Sequence, residues 1–162
     1  MIKEGYTSNE RIKEESDFLR GNISGLLHDG GITHFPSEEE FLLKFHGITQ
    51  QDNRDERLIR KKNGQERNWL FMLRLRLPGG RMTPSQWLAA ETLSDQFGNG
   101  SLKLTTRQAI QIHGVVKQDL KQTMKDIHHA AITTIAASGD ATRNVMVSLH
   151  PCLLYTSDAA DE

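Results

Sequence analysis

Apolar and polar positions alternate most sharply in Asn68–Leu77, NWLFMLRLRL. Phe71, Leu73, Leu75 and Leu77 share one parity, while Met72, Arg74 and Arg76 share the other. Successive strand side chains point to opposite faces, so this pattern predicts a strand with one aliphatic and one largely cationic face. Pro78-Gly79-Gly80 ends it. Thr83 is then a helix N-cap with Pro84 at the first helical position. Ala89, Ala90, Leu93 and Phe97 recur on one helix face before Gly98 stops the run. SLKLTT and AIQIHG follow as two short strands joined by a tight turn near Arg107. Leu104, Ile110 and Ile112 lie at even positions; Lys103, Thr105, Arg107, Gln111 and His113 lie at odd ones. A second helix is predicted from about Lys117 to Ala137, with Leu120, Met124, Ile127, Ala131 and Ile135 at helical spacing. Gly139 ends it, and RNVMVSL reads as a last strand.

Upstream the signals are weaker. Thr7 and Glu10 have capping-box spacing and open a predicted helix to about Leu27, with Ile12, Phe18, Leu19, Ile23, Leu26 and Leu27 as a loose stripe. HDGGITHFPSEEE reads as a connector, FLLKFHG at Phe41–Gly47 as a short strand, and ITQQDNRDER as a polar loop. RLIRKKNGQER at Arg57–Arg67 reads as a solvated loop.

From Asn68 the order is strand, helix, strand, strand, helix, strand, the split βαβ or ferredoxin-like arrangement of an α+β fold. The expected organisation is an N-terminal helix and arm over 1–67, a ferredoxin-like half-domain over 68–151, and a tail over 152–162 foreign to it. Both helices should cover the aliphatic face, since that removes both apolar sets from water. Leu73, Leu75, Leu77, Ile110, Leu120, Met124 and Ile127 are the expected core. The opposite face then carries Arg74, Arg76, Lys103, Thr105, Arg107, Gln111 and His113: four Arg or Lys and no carboxylate. Like charges side by side destabilise a sheet. An anionic ligand lying across the strands would relieve them; an acidic partner segment or simple solvation would also account for the pattern.

Composition narrows the classes. The chain has 162 residues, 36% of them hydrophobic and 25% charged, with a net charge of -1. There is no global polyanion-binding signal, yet Arg54–Arg81 holds nine Lys or Arg against three Asp or Glu. No apolar run approaches the ~20 residues of a membrane span. MIKEGYTSNERIKEESDF has no apolar core of a secretory signal, so a cytoplasmic location is expected. Cys152 is the only cysteine, which excludes an internal disulfide framework and a multi-cysteine metal or iron–sulfur site within this chain. An RNA-binding version of the fold would stack bases on strand aromatics, and SLKLTT and AIQIHG contain none.

Four stretches, KFHGITQQDNRDER, LRLRLPGGRMTPSQWL, LTTRQAIQIHG and TRNVM, closely resemble the N-terminal part of the sulfite/nitrite reductase family, in the family's order from about Glu10 to Pro151. The first two lean towards its sulfite-reducing branch; ferredoxin-dependent nitrite reductases share the other two more. The resemblance implies siroheme and a 4Fe-4S cluster as cofactors, sulfite as substrate, and a flavoprotein or ferredoxin as electron donor. By the same resemblance, Arg74 points at the substrate anion, and Arg143 contacts both anion and macrocycle. Arg107, Thr105, Gln111 and His113 match positions that bind siroheme carboxylates. Lys103 stands where some members have arginine, keeping the charge but losing bidentate pairing. A tetrapyrrole with many carboxylates requires such cations and donors. Arg76 is expected to be an ion-pair partner, Trp69 and Trp87 packing residues, and His128 and His129 surface residues. No iron ligand is assigned to this chain. Its end, CLLYTSDAADE, resembles nothing in the family, and Cys152 matches no cluster cysteine. The chain is therefore expected to be a truncated or frame-shifted piece, inactive alone.

Overall fold

The computed structural model describes residues 7–137 and 144–148. Its centre is a four-stranded antiparallel sheet, order β1-β2-β4-β3, built from β1 (Ile48–Asp52), β2 (Trp69–Leu75), β3 (Leu102–Leu104) and β4 (Ile110–Val115). Helices α5 (Pro84–Phe97) and α6 (Leu120–His129) cover its aliphatic face. Phe71, Leu73, Leu75, Ile110, Ile112, Leu120 and Ile127 are each no more than 2% exposed, and Met124 packs against them half-buried. Each such buried side chain stabilises the fold by roughly 1.5–3 kcal/mol. The α+β class, the alternation of β2 and the expected core are all present.

Local chemistry explains the sharpest elements. Thr83 and Gln86 form a reciprocal capping box at the start of α5, with Pro84 next in line. Thr7 and Glu10 do the same for α1 (Ser8–Glu15). Leu104, expected on the covered face, does pair with Ile110, but it lies at the end of the edge strand, where it is 71% exposed.

Six expectations are corrected. The helix expected over Thr7–Leu27 breaks after Glu15 and resumes as α2 (Ile23–His28). Asp17, Phe18 and Leu19 all have positive φ, and the Ser16 hydroxyl donates to Lys13 O and accepts from Leu19 N, so local bonding replaces the helix ladder. Phe18 is left exposed. FLLKFHG is not a strand. Glu38, Glu39 and Glu40 crowd the first turn of α3 (Ser37–Leu43), where acidic groups favour helix. A 3-10 turn then runs Lys44–His46 to Gly47 at φ +77.

ITQQDNRDER is not a loop but β1 followed by α4 (Arg54–Lys62), capped by the Asn53 side chain. β1 pairs with β2 over five residues from Ile48↔Leu73 to Asp52↔Trp69. Its buried Gln50 spans the backbone of Phe35, accepting from its N at 2.7 Å and donating to its O at 3.1 Å. Arg57–Arg67, read as a loop, is thus largely helical, though its apolar Leu58 and Ile59 are exposed.

The second helix ends at His129, eight residues before Ala137. Ala131 takes φ +55, and Thr133 then pairs with Arg76 beside the end of β2, so Ile132–Thr134 serves the sheet. Ile135 is exposed accordingly. Of the expected last strand, Asn144–Ser148 is described and forms no ladder; Arg143 and Leu149 lie outside the described residues. β1 instead flanks β2.

The N-terminal arm is anchored by a buried cation. Lys117 is 5% exposed and its Nζ donates to the carbonyls of Asp29 at 2.6 Å and Ile32 at 2.9 Å. These bonds satisfy a group otherwise costly to bury.

Candidate functional site

The sheet face away from α5 and α6 brings four of the expected residues together. Arg74 on β2 stands opposite Gln111 on β4, and Gln111 stands opposite Lys103 on β3. His113, two residues along β4, shares their face by strand parity. Only one orientation of the Gln111 amide suits both neighbours. An arginine has donors alone, so the amide oxygen must face Arg74. It then accepts from Arg74 Nε at 3.2 Å and Nη2 at 2.7 Å, while its nitrogen donates to His113 Nε2 at 3.0 Å. Arg74 also reaches the carbonyl of Ala137 at 3.5 Å. The imidazole of His113 is pushed below its usual pKa by burial, then by the nearby charges of Lys103 and Arg74.

Thr105 and Arg107 lie in the turn from β3 to β4. Thr105 closes it, accepting at its hydroxyl from Ala109 N at 3.2 Å and pairing with Ala109 O through its own N. Arg107 projects from this turn exposed. Arg143 falls outside the described residues, but its neighbour Asn144 donates to the carbonyls of Arg107 and Gln108, each at 2.9 Å. Gln108 in turn grips Val147, donating to its O at 2.7 Å and accepting from its N at 3.0 Å. The described segment Asn144–Ser148 is thus latched to the Arg107 turn.

Other residues fall differently. Arg76 makes no ion pair among the described residues: its Nε is buried without a partner and its backbone N donates to Thr133 O. Trp87 is 41% exposed rather than packed, whereas Trp69 stacks on His34 at 4.9 Å. His46 donates to Leu19 O at 2.9 Å, a structural bond, and His128 and His129 are exposed.

The sequence reading missed a second bank of charge. Beside Lys103 and His113 lies an open depression of about 600 Å³, whose other wall is Gln50, Gln51, Asp52, Arg54 and Arg57. Arg57 pairs with Asp52 through both its Nε and Nη2, and this pairing holds the Asp52 carboxyl below its ordinary pKa. The residues Asn53, Asp55 and Arg60 carried the missed signal: a cap, an acidic first turn and a basic last turn.

Residues 63–130 match the model of the Nitrite/Sulfite reductase ferredoxin-like half domain. The chain is 56% identical over 147 residues to the sulfite reductase (NADPH) subunit beta of Saccharomyces cerevisiae, covering 89% of this chain and 10% of that protein. It is 48% identical over 153 residues to the sulfite reductase (NADPH) hemoprotein beta-component of Bacillus subtilis, covering 94% of this chain and 26% of that protein. The chain therefore spans between a tenth and about a quarter of the length of these relatives. Among solved structures, that of the Mycobacterium tuberculosis NirA protein shares the fold, with TM-score 0.70 and 19% identity over 88% of this chain and 27% of that one.

Proposed function

We propose that the chain is a member of the nitrite/sulfite reductase family and forms part of a siroheme-dependent sulfite reductase hemoprotein, a reading supported by the half-domain match over residues 63–130 and by the 48–56% identical relatives. For its organisation we keep the division into 1–67, the half-domain over 68–151 and a tail over 152–162, with β1 of the first part added to the sheet of the second; the tail lies outside the described residues. The observation that carries the reading is the sheet face where Arg74, Lys103 and His113 surround Gln111.

That donor set fits siroheme. Lys103, Arg107 and the donors around them suit a macrocycle rimmed with carboxylates, and charge-assisted bonds of this kind are the strong ones. Thr105, Gln111 and His113 supply further polar groups along the same face. Siroheme with its 4Fe-4S partner, when bound, supplies the route for the six electrons that turn sulfite into sulfide. A cluster would be held by parts of the protein outside this chain, whose one cysteine is Cys152.

The chain's own residues do three things in this reading. Arg74 binds the sulfite anion and offsets its charge, with Arg143 as a second cation on anion and macrocycle. Fixed cations also stabilise the departing oxygens, each of which leaves as water after taking two protons. Sheet pairing holds Arg74 in place before substrate arrives, so little reorganisation is needed during the reaction. We assign NADPH as the electron source because the Saccharomyces cerevisiae and Bacillus subtilis relatives are named for it, and propose a flavoprotein as the partner that passes its electrons on. No helix among the described residues is long and apolar enough to cross a membrane. The cytoplasmic location remains a proposal from the sequence.

The test is Arg74→Ser in the full-length protein that contains this chain. Losing one fixed charge of this kind costs roughly a hundred- to a thousandfold in turnover. Sulfite reduction should fall by that factor while siroheme absorbance persists; in Arg143→Ser both turnover and siroheme content should drop. Full sulfite turnover in Arg74→Ser with normal siroheme loading overturns the assignment.

A further inference from the structure

We propose that Gln111 is a positioning residue that holds Arg74 only while His113 is neutral, making the amide a relay between an imidazole proton and an anion-facing guanidinium. The inference deepens the reading above and rests on it only for what Arg74 serves. Its basis is donor arithmetic. Arg74 offers Nε–H and Nη2–H to Gln111 and has no acceptor to give. The amide oxygen is therefore committed to Arg74, and the amide N–H points at His113 Nε2, which must be the acceptor. His113 is then neutral, with its proton on Nδ1.

Protonation reverses the second bond. A charged His113 carries a proton on Nε2, so two donors would face each other at 3.0 Å. Turning the amide repairs that contact but sets its nitrogen against Arg74, so Arg74 loses both bonds from Gln111. One proton on His113 and both Gln111 bonds to Arg74 are mutually exclusive.

The surroundings set where the change falls. Lys103 on β3 and Arg74 on β2 both oppose protonation of His113, and burial opposes it more strongly. Across the depression stand Arg54 and Arg57 of α4 and Asp52 of β1, the last already engaged by Arg57. The hold on Arg74 is thus intact at neutral pH and released in acid, below the usual histidine range.

The test is nitrogen and proton NMR of the 162-residue chain across pH, without siroheme or sulfite. At neutral pH, His113 should show the Nδ1–H tautomer, and the Arg74 Hε resonance should shift with the midpoint of His113. In Gln111→Glu a carboxylate accepts from both neighbours, so the His113 midpoint should rise and the Arg74 signal should stay flat through it. In Gln111→Leu, His113 should titrate with no response at Arg74. An Nε2–H tautomer at neutral pH, or an Arg74 signal blind to His113 in the unaltered chain, overturns the proposal. If the variants fail to fold, the unaltered chain still decides. Because no substrate or cofactor enters, failure here leaves the reductase reading standing, and failure of Arg74→Ser in turnover leaves the relay standing.

Discussion

Gly47 shows how one residue closes a corner. Its φ of +77 is a conformation that side-chain-bearing residues rarely adopt, and a Cβ there would run into the carbonyl oxygen of Thr134. The close approach lets Ala136 N bond to Phe45 O at 3.0 Å and Arg74 N to Gly47 O at 2.9 Å. The left-handed backbone alone costs an L-residue about 1–2 kcal/mol, and the clash adds to it. Gly47→Ala should therefore lower the unfolding free energy from urea titration by at least that amount, whereas Gly64→Ala, at φ +65 with open space around it, should cost only the backbone share. Equal losses in the two variants would show that the Thr134 contact carries nothing. Arg74, Gln111, His113 and Lys103 were legible at this scale because strand parity alone places them on one face. The orientation of the Gln111 amide was not, since it follows from a neighbour on another strand.

Among elements, β2, α5, β3 and β4 could be read from the chain because their signals are local: alternation, a capping box, and a stop at Pro or Gly. β1 could not. Its polar Thr49-Gln50-Gln51-Asp52 run becomes a strand through pairing with β2 and through Gln50 on the backbone of Phe35, and both are distant in sequence. The end of α6 was missed for a similar reason. Ala131 and Ile135 fit helical spacing, but the free edge at Arg76 takes Thr133 between them instead. The last strand became a latch, in which the Gln108 side chain stands in for a neighbouring strand at Val147. Replacing it, in Gln108→Ala, should speed hydrogen exchange at the Val147 amide while the amides of β2 and β4 keep their protection. Unchanged exchange at Val147 would mean that the side chain does not hold the segment.

At the scale of the whole molecule, three groups tie stability to pH with one sign. His113, Asp52 and Glu10 all have folded pKa values below their ordinary ones: His113 chiefly by burial, Asp52 by the Arg57 bond, and Glu10 by its bonds to Thr7. In each case the unfolded chain binds more protons, so stability rises with pH and falls in acid. The His113 share is lost as pH drops below about 6.5, and the carboxylate shares are lost below about 4.5 and 3.8. Between pH 7.5 and 5, then, the urea midpoint should fall further in the unaltered chain than in His113→Gln; parallel falls would refute it.

Lys117 adds an order in time. It holds the carbonyls of Asp29 and Ile32, which precede it by 88 and 85 residues. A ribosome adding about 5–20 residues per second needs roughly 4–17 s to cover that interval. For those seconds Ile23, Leu26, Leu27 and Phe35 have left the exit tunnel with neither the sheet nor their anchor yet made. The N-terminal arm therefore emerges well before its own anchor and settles only after it, which leaves a nascent-chain chaperone that interval in which to act.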